Sequence, residues 1–415
     1  MEAAVSEQEV AELRQQVPAL LQRVEQLEAR NQALAAGAAP AAKIDKLELR
    51  VADVEATSEA QTDLLAQAAA TARSAEWAPR LKWTADFPYR HEDIWDEGRA
   101  DRTRHRIRAR LGLEAKINDD LKGCVGIATG NPEDPRSRTA TLGDGAIRKT
   151  IALDFGYIDW TIREDVVLSL GKMPYPFERI GGSLFHDSDA NPEGAALRFE
   201  HESGFFGSGY GFWISESSSG ADANVFGTQL GWAGLGGLMV SVGYNDYGAL
   251  QNNSVGLVDL GGNSTYGAAN ANCSGTGSLR CYLYDYDILE VGAEYGFRVG
   301  QLPVLLWADY LENTAVDDLN TAFALGARLG RARDPGSWKL GLLYAEVEQD
   351  AQWGGVVDSN FGGGATQAKG FQLTGGWAPA KNVLLSFRYF DNVRNFDKAD
   401  ERDYERLQLD LNFKF

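Results

Sequence analysis

From residue 407 to 415 every odd position is apolar and every even one polar: Leu407, Leu409, Leu411, Phe413 and Phe415 alternate with Gln408, Asp410, Asn412 and Lys414. Successive side chains of a strand point to opposite faces, so this run predicts a strand with one oily and one wet face. The same period recurs upstream. Ile107, Ala109, Leu111, Leu113, Ala115 and Ile117 alternate with Arg106, Arg108, Arg110, Gly112, Glu114 and Lys116. Leu81, Trp83, Ala85, Phe87 and Tyr89 form a third such set, and Val383, Leu385, Phe387 and Tyr389 a fourth. A soluble sandwich would alternate in the same way. Aromatics gathered at strand ends (Trp83, Phe87, Tyr89; Phe413, Phe415) favour instead the interfacial girdles of a membrane barrel.

Alternation places strand starts near residues 80, 104, 121, 149, 166, 195, 208, 225, 238, 287, 302, 321, 337, 369, 383 and 405. The expected fold is thus an all-β transmembrane barrel of sixteen antiparallel strands, with fourteen and eighteen as open alternatives. Short turns such as Asn118-Asp119-Asp120 and long Gly/Ser/Asn loops such as 248–280 repeat the asymmetry of outer-membrane barrels. A barrel of that size encloses an aqueous channel instead of a packed core. No stretch reaches the roughly 18 consecutive apolar residues of a spanning helix.

A different object precedes residue 77. The first aromatic is Trp77, and Gly37 is the only one of 46 glycines before it. Residues 1–76 are therefore assigned to an α-helical coiled-coil stalk and 77–415 to the barrel. Val17, Leu20, Val24, Leu27, Asn31 and Leu34 follow a heptad, with Asn31 at an a position where a buried amide fixes register. Pro18 is expected at a first turn or a kink. After Gly37 and Pro40, Ile44, Leu47, Val51 and Val54 restart the pattern in a shifted frame. Such a stripe buries itself only against other copies, the alternative being a partly disordered acidic tail. No basic start with an apolar core and cleavage site opens the chain, so a mature chain with an added Met1 is expected.

Forty basic against 59 acidic residues give a net charge of −19, which argues against nucleic acid as a partner. The four histidines (His91, His105, His186, His201) are scattered, without metal-ligand spacing, and no cofactor or metal is expected. An outer-wall hydrolase would need a Ser–His–acid set. His105 and His201 fall on strands among charged residues, which does not favour one. Cys273 and Cys281 bracket 274–280 in the longest loop and are expected to form a disulfide, with Cys124 free on a strand.

Between the fifth and sixth strands, Pro174 and Pro176 stop the chain, and Asp187, Asp189 and Glu193 follow within seven residues. If this segment folds inward, its acids oppose the arginine wall of Arg106, Arg108 and Arg110, giving a transverse field that filters solutes by charge. Lys116, Arg198, Arg328 and Arg388 are further lumen candidates. Ordinary turn chemistry explains the same acids, whereas the Asp187/Asp189 spacing departs from a calcium-binding EF-hand loop.

The heptad segment, the arginine-rich stretch 101–115, the proline-rich 171–177, the acidic 187–195 and Phe415 together resemble the putative porin family of Gram-negative bacteria. The resemblance covers nearly the whole chain. It implies a homotrimeric sixteen-stranded outer-membrane diffusion channel with its coiled coil in the periplasm, and no particular solute. Expected partners are outer-membrane lipid and lipopolysaccharide, the barrel assembly machinery through the Phe415 strand, and peptidoglycan or a periplasmic protein through the stalk. The basic ladder favours anionic or zwitterionic solutes. Two other readings remain at this stage: an envelope tether, and an adhesin displaying loops 248–280 and 350–368.

Overall fold

The computed structural model describes residues 7–35, 62, 78–218, 221–253, 260–267 and 280–414. Contacts divide the chain into two units, Met1–Leu81 and Lys82–Phe415.

In the first unit α1 (Glu7–Ala35) carries the heptad. Pro18 lies inside α1 instead of its first turn, so the helix forgoes one hydrogen bond there. Val17, Leu20, Val24, Leu27 and Asn31 are half-buried, while the side chains between them are exposed. The side chain of Leu34 and the residues Ile44, Leu47, Val51 and Val54 lie outside the described set.

The second unit is antiparallel sheet. Its strands are β1 (Leu81–Asp86), β2 (Tyr89–Asp96), β3 (Arg102–Ile107), β4 (Arg110–Lys116), β5 (Leu121–Thr129), β6 (Ala140–Thr141) and β7 (Ile151–Arg163). There follow β8 (Val166–Lys172), β9 (Glu193–Glu200), β10 (Phe205–Ser215), β11 (Ala223–Ala233), β12 (Leu238–Gly248), β13 (Thr265–Gly267) and β14 (Arg280–Tyr282). The last are β15 (Tyr286–Val299), β16 (Leu302–Asn313), β17 (Thr321–Gly330), β18 (Trp338–Val347), β19 (Ala368–Ala380), β20 (Val383–Arg394) and β21 (Arg402–Phe413).

Among the described residues twenty-one segments are present where sixteen strands were expected. Every expected start lies within three residues of an observed one, so the surplus has a local cause. The run 81–96 is interrupted at Phe87-Pro88, where proline has no N–H for the ladder, and the run 102–116 breaks at Arg108-Ala109. The remaining extra segments, β6, β13 and β14, are two or three residues long.

From β7 onward, neighbours in the large sheet are antiparallel hairpins, with β12 joined to β15 across the long connection. β2 pairs with β3 on one side and β21 on the other, Tyr89 lying opposite Ile107 and Leu411. The connections 117–120, 164–165, 201–204, 234–237, 300–301 and 381–382 are short, whereas 130–150, 173–192, 249–285 and 348–367 are long. Counted strand by strand, the four long connections fall at one end of the strands and the six short ones at the other.

Burial is inverted relative to a soluble protein. Trp213 and Phe226 are each 63% exposed, whereas Glu92 and Gln408 are 0% exposed. Leu409 and Phe413 face outward from β21 while Arg406, Gln408 and Asp410 face inward. Exposed apolar side chains cover the outer surface of nearly every strand, as hydrocarbon contact requires. Along one outer rim, Tyr310 donates its hydroxyl to Glu312 at 3.1 Å and Tyr389 to Glu405 at 2.5 Å. A tyrosine with its ring on oil and its hydroxyl on a carboxylate suits a boundary between oil and water.

Inside, an apolar cluster gathers Met173, Phe185, Tyr286, Trp353, Phe361 and Phe390. Four of these belong to the connections 173–192 and 348–367, which are therefore folded inward. The adhesin reading placed 350–368 on display. The structure corrects this, since Ala351 and Gln352 are wholly buried and Val357 and Phe361 nearly so.

Candidate functional site: a basic cavity beside an inward loop

The loop 173–192 is closed at its base by Met173 N–H donating to Pro192 O at 2.9 Å. It then runs along the inner faces of β11, β15 and β16. Glu178 and Gln229 exchange two 2.9 Å bonds, Gly181 N–H donates to Glu294 Oε1 at 2.6 Å, and His186 Nε2 lies 3.0 Å from Glu290 Oε2. Gly181 makes the close approach to the wall possible. Its φ is +63°, and a Cβ there would sit 2.2 Å from the Trp307 indole nitrogen. Gly292 leaves the slot that Ile180 fills, since a Cβ on Gly292 would stand 2.4 Å from Ile180 Cγ1.

A second inward loop, 348–367, is tied to the first by backbone. Asp187 N–H donates to Val356 O at 2.6 Å, Asp358 N–H to Leu184 O at 2.8 Å, and Ser359 N–H to Asp187 Oδ2 at 2.8 Å. Arg136, from a third loop, donates to Gly354 O at 2.9 Å and Gly364 O at 2.7 Å. Arg406 and Gln408 of β21 reach Ser359 O and Asn360 Oδ1 from the wall.

What remains is a cavity of about 370 Å³ between the tip 180–184 of the first loop and the wall of β17 to β21. Arg90, Arg108, Arg328, Lys339, Arg388 and Lys414 reach it, against the carboxylates of Asp358 and Asp410. One wall of the cavity is thus strongly basic, while the loop tip contributes Ile180, Gly181, Gly182, Ser183 and Leu184 and no charge.

The expected charged residues divide into those at this cavity and those elsewhere. Arg108, Arg328 and Arg388 line it. Arg106 instead donates to Ser137 Oγ at 3.1 Å and Thr139 O at 3.0 Å, and so anchors a loop. Arg110 joins Arg108 on Asp86, at 3.1 Å and 2.5 Å. Lys116 pairs with Asp119 at a turn, and Glu193 with Lys172 on an exposed surface. Arg198 lies 3.6 Å from Asp159, away from the cavity.

The acids of 187–193 do not face the arginines across open space. Asp189 lies 2.9 Å from Arg138 and 3.9 Å from Arg108, so it is already committed to cations. Asp187 is buried and accepts the N–H groups of Asp189 and Ser359, both at 2.8 Å. Burial, reinforced by the charges of Asp358 and Asp189, pushes its carboxyl up to about 7. Burial likewise pushes the Tyr175 hydroxyl and the Glu178 carboxyl upward.

Lys339, Lys414 and Arg90 complete the basic wall and were missed in the sequence, although the alternation that exposes Arg388 also sets Lys414 on the polar face. Arg136 and Arg138 were missed because they lie in a loop without periodicity. Cys281 is disulfide-bonded, Cys124 is free and buried, and Cys273 lies outside the described residues. No cluster of three or more His, Cys, Asp or Glu able to hold a metal occurs among the described residues.

An antiparallel sheet with an oily exterior, a polar interior and inward-folded loops is the architecture of a porin. The putative porin family model matches residues 95–232 and 284–415, and the chain belongs to that family. Among solved structures, OprB of Pseudomonas putida at high pH shares the fold at a TM-score of 0.56 and 12% identity, covering 83% of this chain and 96% of that one. Salmonella typhi OmpF in complex with daunomycin gives a TM-score of 0.48 at 14% identity, covering 81% and 97% of the two chains. A triple mutant of Rhodopseudomonas blastica porin gives 0.47 at 11% identity, covering 81% of this chain and all of that one. No curated protein matches the sequence.

Proposed function

We propose that the protein is a homotrimeric outer-membrane channel for passive diffusion of small hydrophilic solutes, with its stalk in the periplasm. In this reading β1 with β2 and β3 with β4 are each one spanning strand, interrupted at Pro88 and at Arg108. With β6, β13 and β14 assigned to loops, sixteen strands remain, closed by the pairing of β2 with β21. The observation that carries the proposal is the basic wall facing an inward loop across the cavity. Its four cations without ion-pair partners among the described residues, Arg328, Lys339, Arg388 and Lys414, support a preference for anionic or zwitterionic solutes.

The test is the reversal potential of the purified protein in a planar bilayer under a salt gradient. The expected outcome is anion preference that declines in Arg108→Ala, because removing that guanidinium leaves Asp86 and Asp189 less compensated. Strong cation selectivity, unchanged by the substitution, would sink the assignment of the filter. A complete lack of conductance would sink the channel reading, since the inward loops would then seal the lumen.

A further inference from the structure

We propose that the cavity beside loop 173–192 is a binding site for dianionic oxyanions, of which inorganic phosphate is the simplest. This rests on the channel reading and sharpens it from a charge filter to a saturable site. The six basic side chains at the cavity are not equivalent. Arg90 holds Asp410 through two hydrogen bonds of 2.6 Å and 3.0 Å. Arg108 lies 2.5 Å from Asp86 and 3.9 Å from Asp189. Arg328, Lys339, Arg388 and Lys414 have no ion-pair partner among the described residues and share one lining.

Gathering like charges is unfavourable unless a counter-charge enters. The cavity's own acids, two against six basic side chains, supply it only in part. Asp410 is committed to Arg90, and Asp358 Oδ1 accepts the N–H groups of Asn360 and Phe361 at 2.8 Å and 2.9 Å. A monovalent halide brings one charge and a single acceptor atom to these cations. A tetrahedral dianion can take charge-assisted bonds from Arg388 and Lys339 together, with the hydroxyls of Thr374 and Ser386 in the same lining.

The experiment titrates chloride current through the full-length protein with inorganic phosphate at fixed ionic strength. A saturable fall in current is expected. With each current normalised to its own phosphate-free value, the Lys339→Gln/Arg388→Gln double variant should raise the half-blocking concentration at least tenfold. Arg163→Gln, an exposed arginine bonded to Asp165 away from the cavity, should leave the block unchanged. Current independent of phosphate, or equal block in the double variant, overturns the site while leaving the channel intact. If the double variant does not fold, Lys339→Gln alone is read in the same way. If the native protein does not conduct, the channel reading fails. Calorimetric titration of the detergent-solubilised protein with phosphate then decides the site alone, absence of saturable binding overturning it.

Discussion

The Asp187 carboxylate accepts the Ser359 N–H at 2.8 Å, so a single side chain of one inward loop holds the backbone of the other. The groups facing it are Asp189 on its own loop, itself paired with Arg138, and Asp358 on the opposite loop. Because the folded carboxyl is raised to about 7, its contribution to docking is fully present below the ordinary carboxylate range and is lost as pH rises through about 7. Proteolytic cleavage within 173–192 should therefore be slow at pH 5 and faster at pH 8.5. Asp187→Asn should flatten that dependence, at the cost of one of the two N–H acceptors. Cleavage that is equally fast at both pH values in the native protein would refute the latch.

Glu92 is the anchor of the wall. It is wholly buried and binds Arg104, Arg406 and Gln408 from β3 and β21. Removing it leaves Arg406 buried without its partner, so Glu92→Ala should destabilise the fold by about 3–5 kcal/mol. The measurement is the urea midpoint of folded protein in detergent. A change below about 1 kcal/mol, the range of an exposed pair, would show that water screens this network.

The outward face makes the opposite demand. Leu409 is 45% exposed in the middle of β21, so Leu409→Arg should cost about 2–4 kcal/mol of folding free energy in lipid. Ser386→Arg, across the neighbouring strand and facing the cavity, should fold normally and strengthen anion preference. Equal tolerance of both substitutions would contradict the assignment of the two faces.

Cys281 is bonded, and the expected partner is Cys273. A non-reducing peptide map should recover the two in one disulfide-linked pair of peptides and Cys124 as a free thiol. Recovery of Cys273 as a free thiol would refute this pairing.

The strands were readable from sequence because a two-residue period survives without knowledge of neighbours. Leu409 and Asp410 declare their faces by parity alone. Interruptions were less visible, since Phe87 and Pro88 disturb the ladder without disturbing the alternation. The constriction was legible only in outline. Two prolines and a run of acids marked the loop that turns inward, but which cation each acid meets depends on a third loop carrying Arg138. Parity likewise put Arg106 and Arg108 on the same side without revealing that Ser137 and Thr139 would claim Arg106. The inward course of 348–367 had no signal of its own, because Trp353 and Phe361 in a Gly-rich segment read equally well as an exposed loop.

The two inward loops are joined through backbone groups at Asp187, Leu184, Val356 and Asp358, while the charges around the aperture sit on side chains of separate strands. Aperture width and aperture charge are thereby encoded in different parts of the chain. In the proposed channel, exchange of Arg328, Lys339 or Lys414 would change what is admitted, while the size limit would stay where the loop-to-loop bonds hold it.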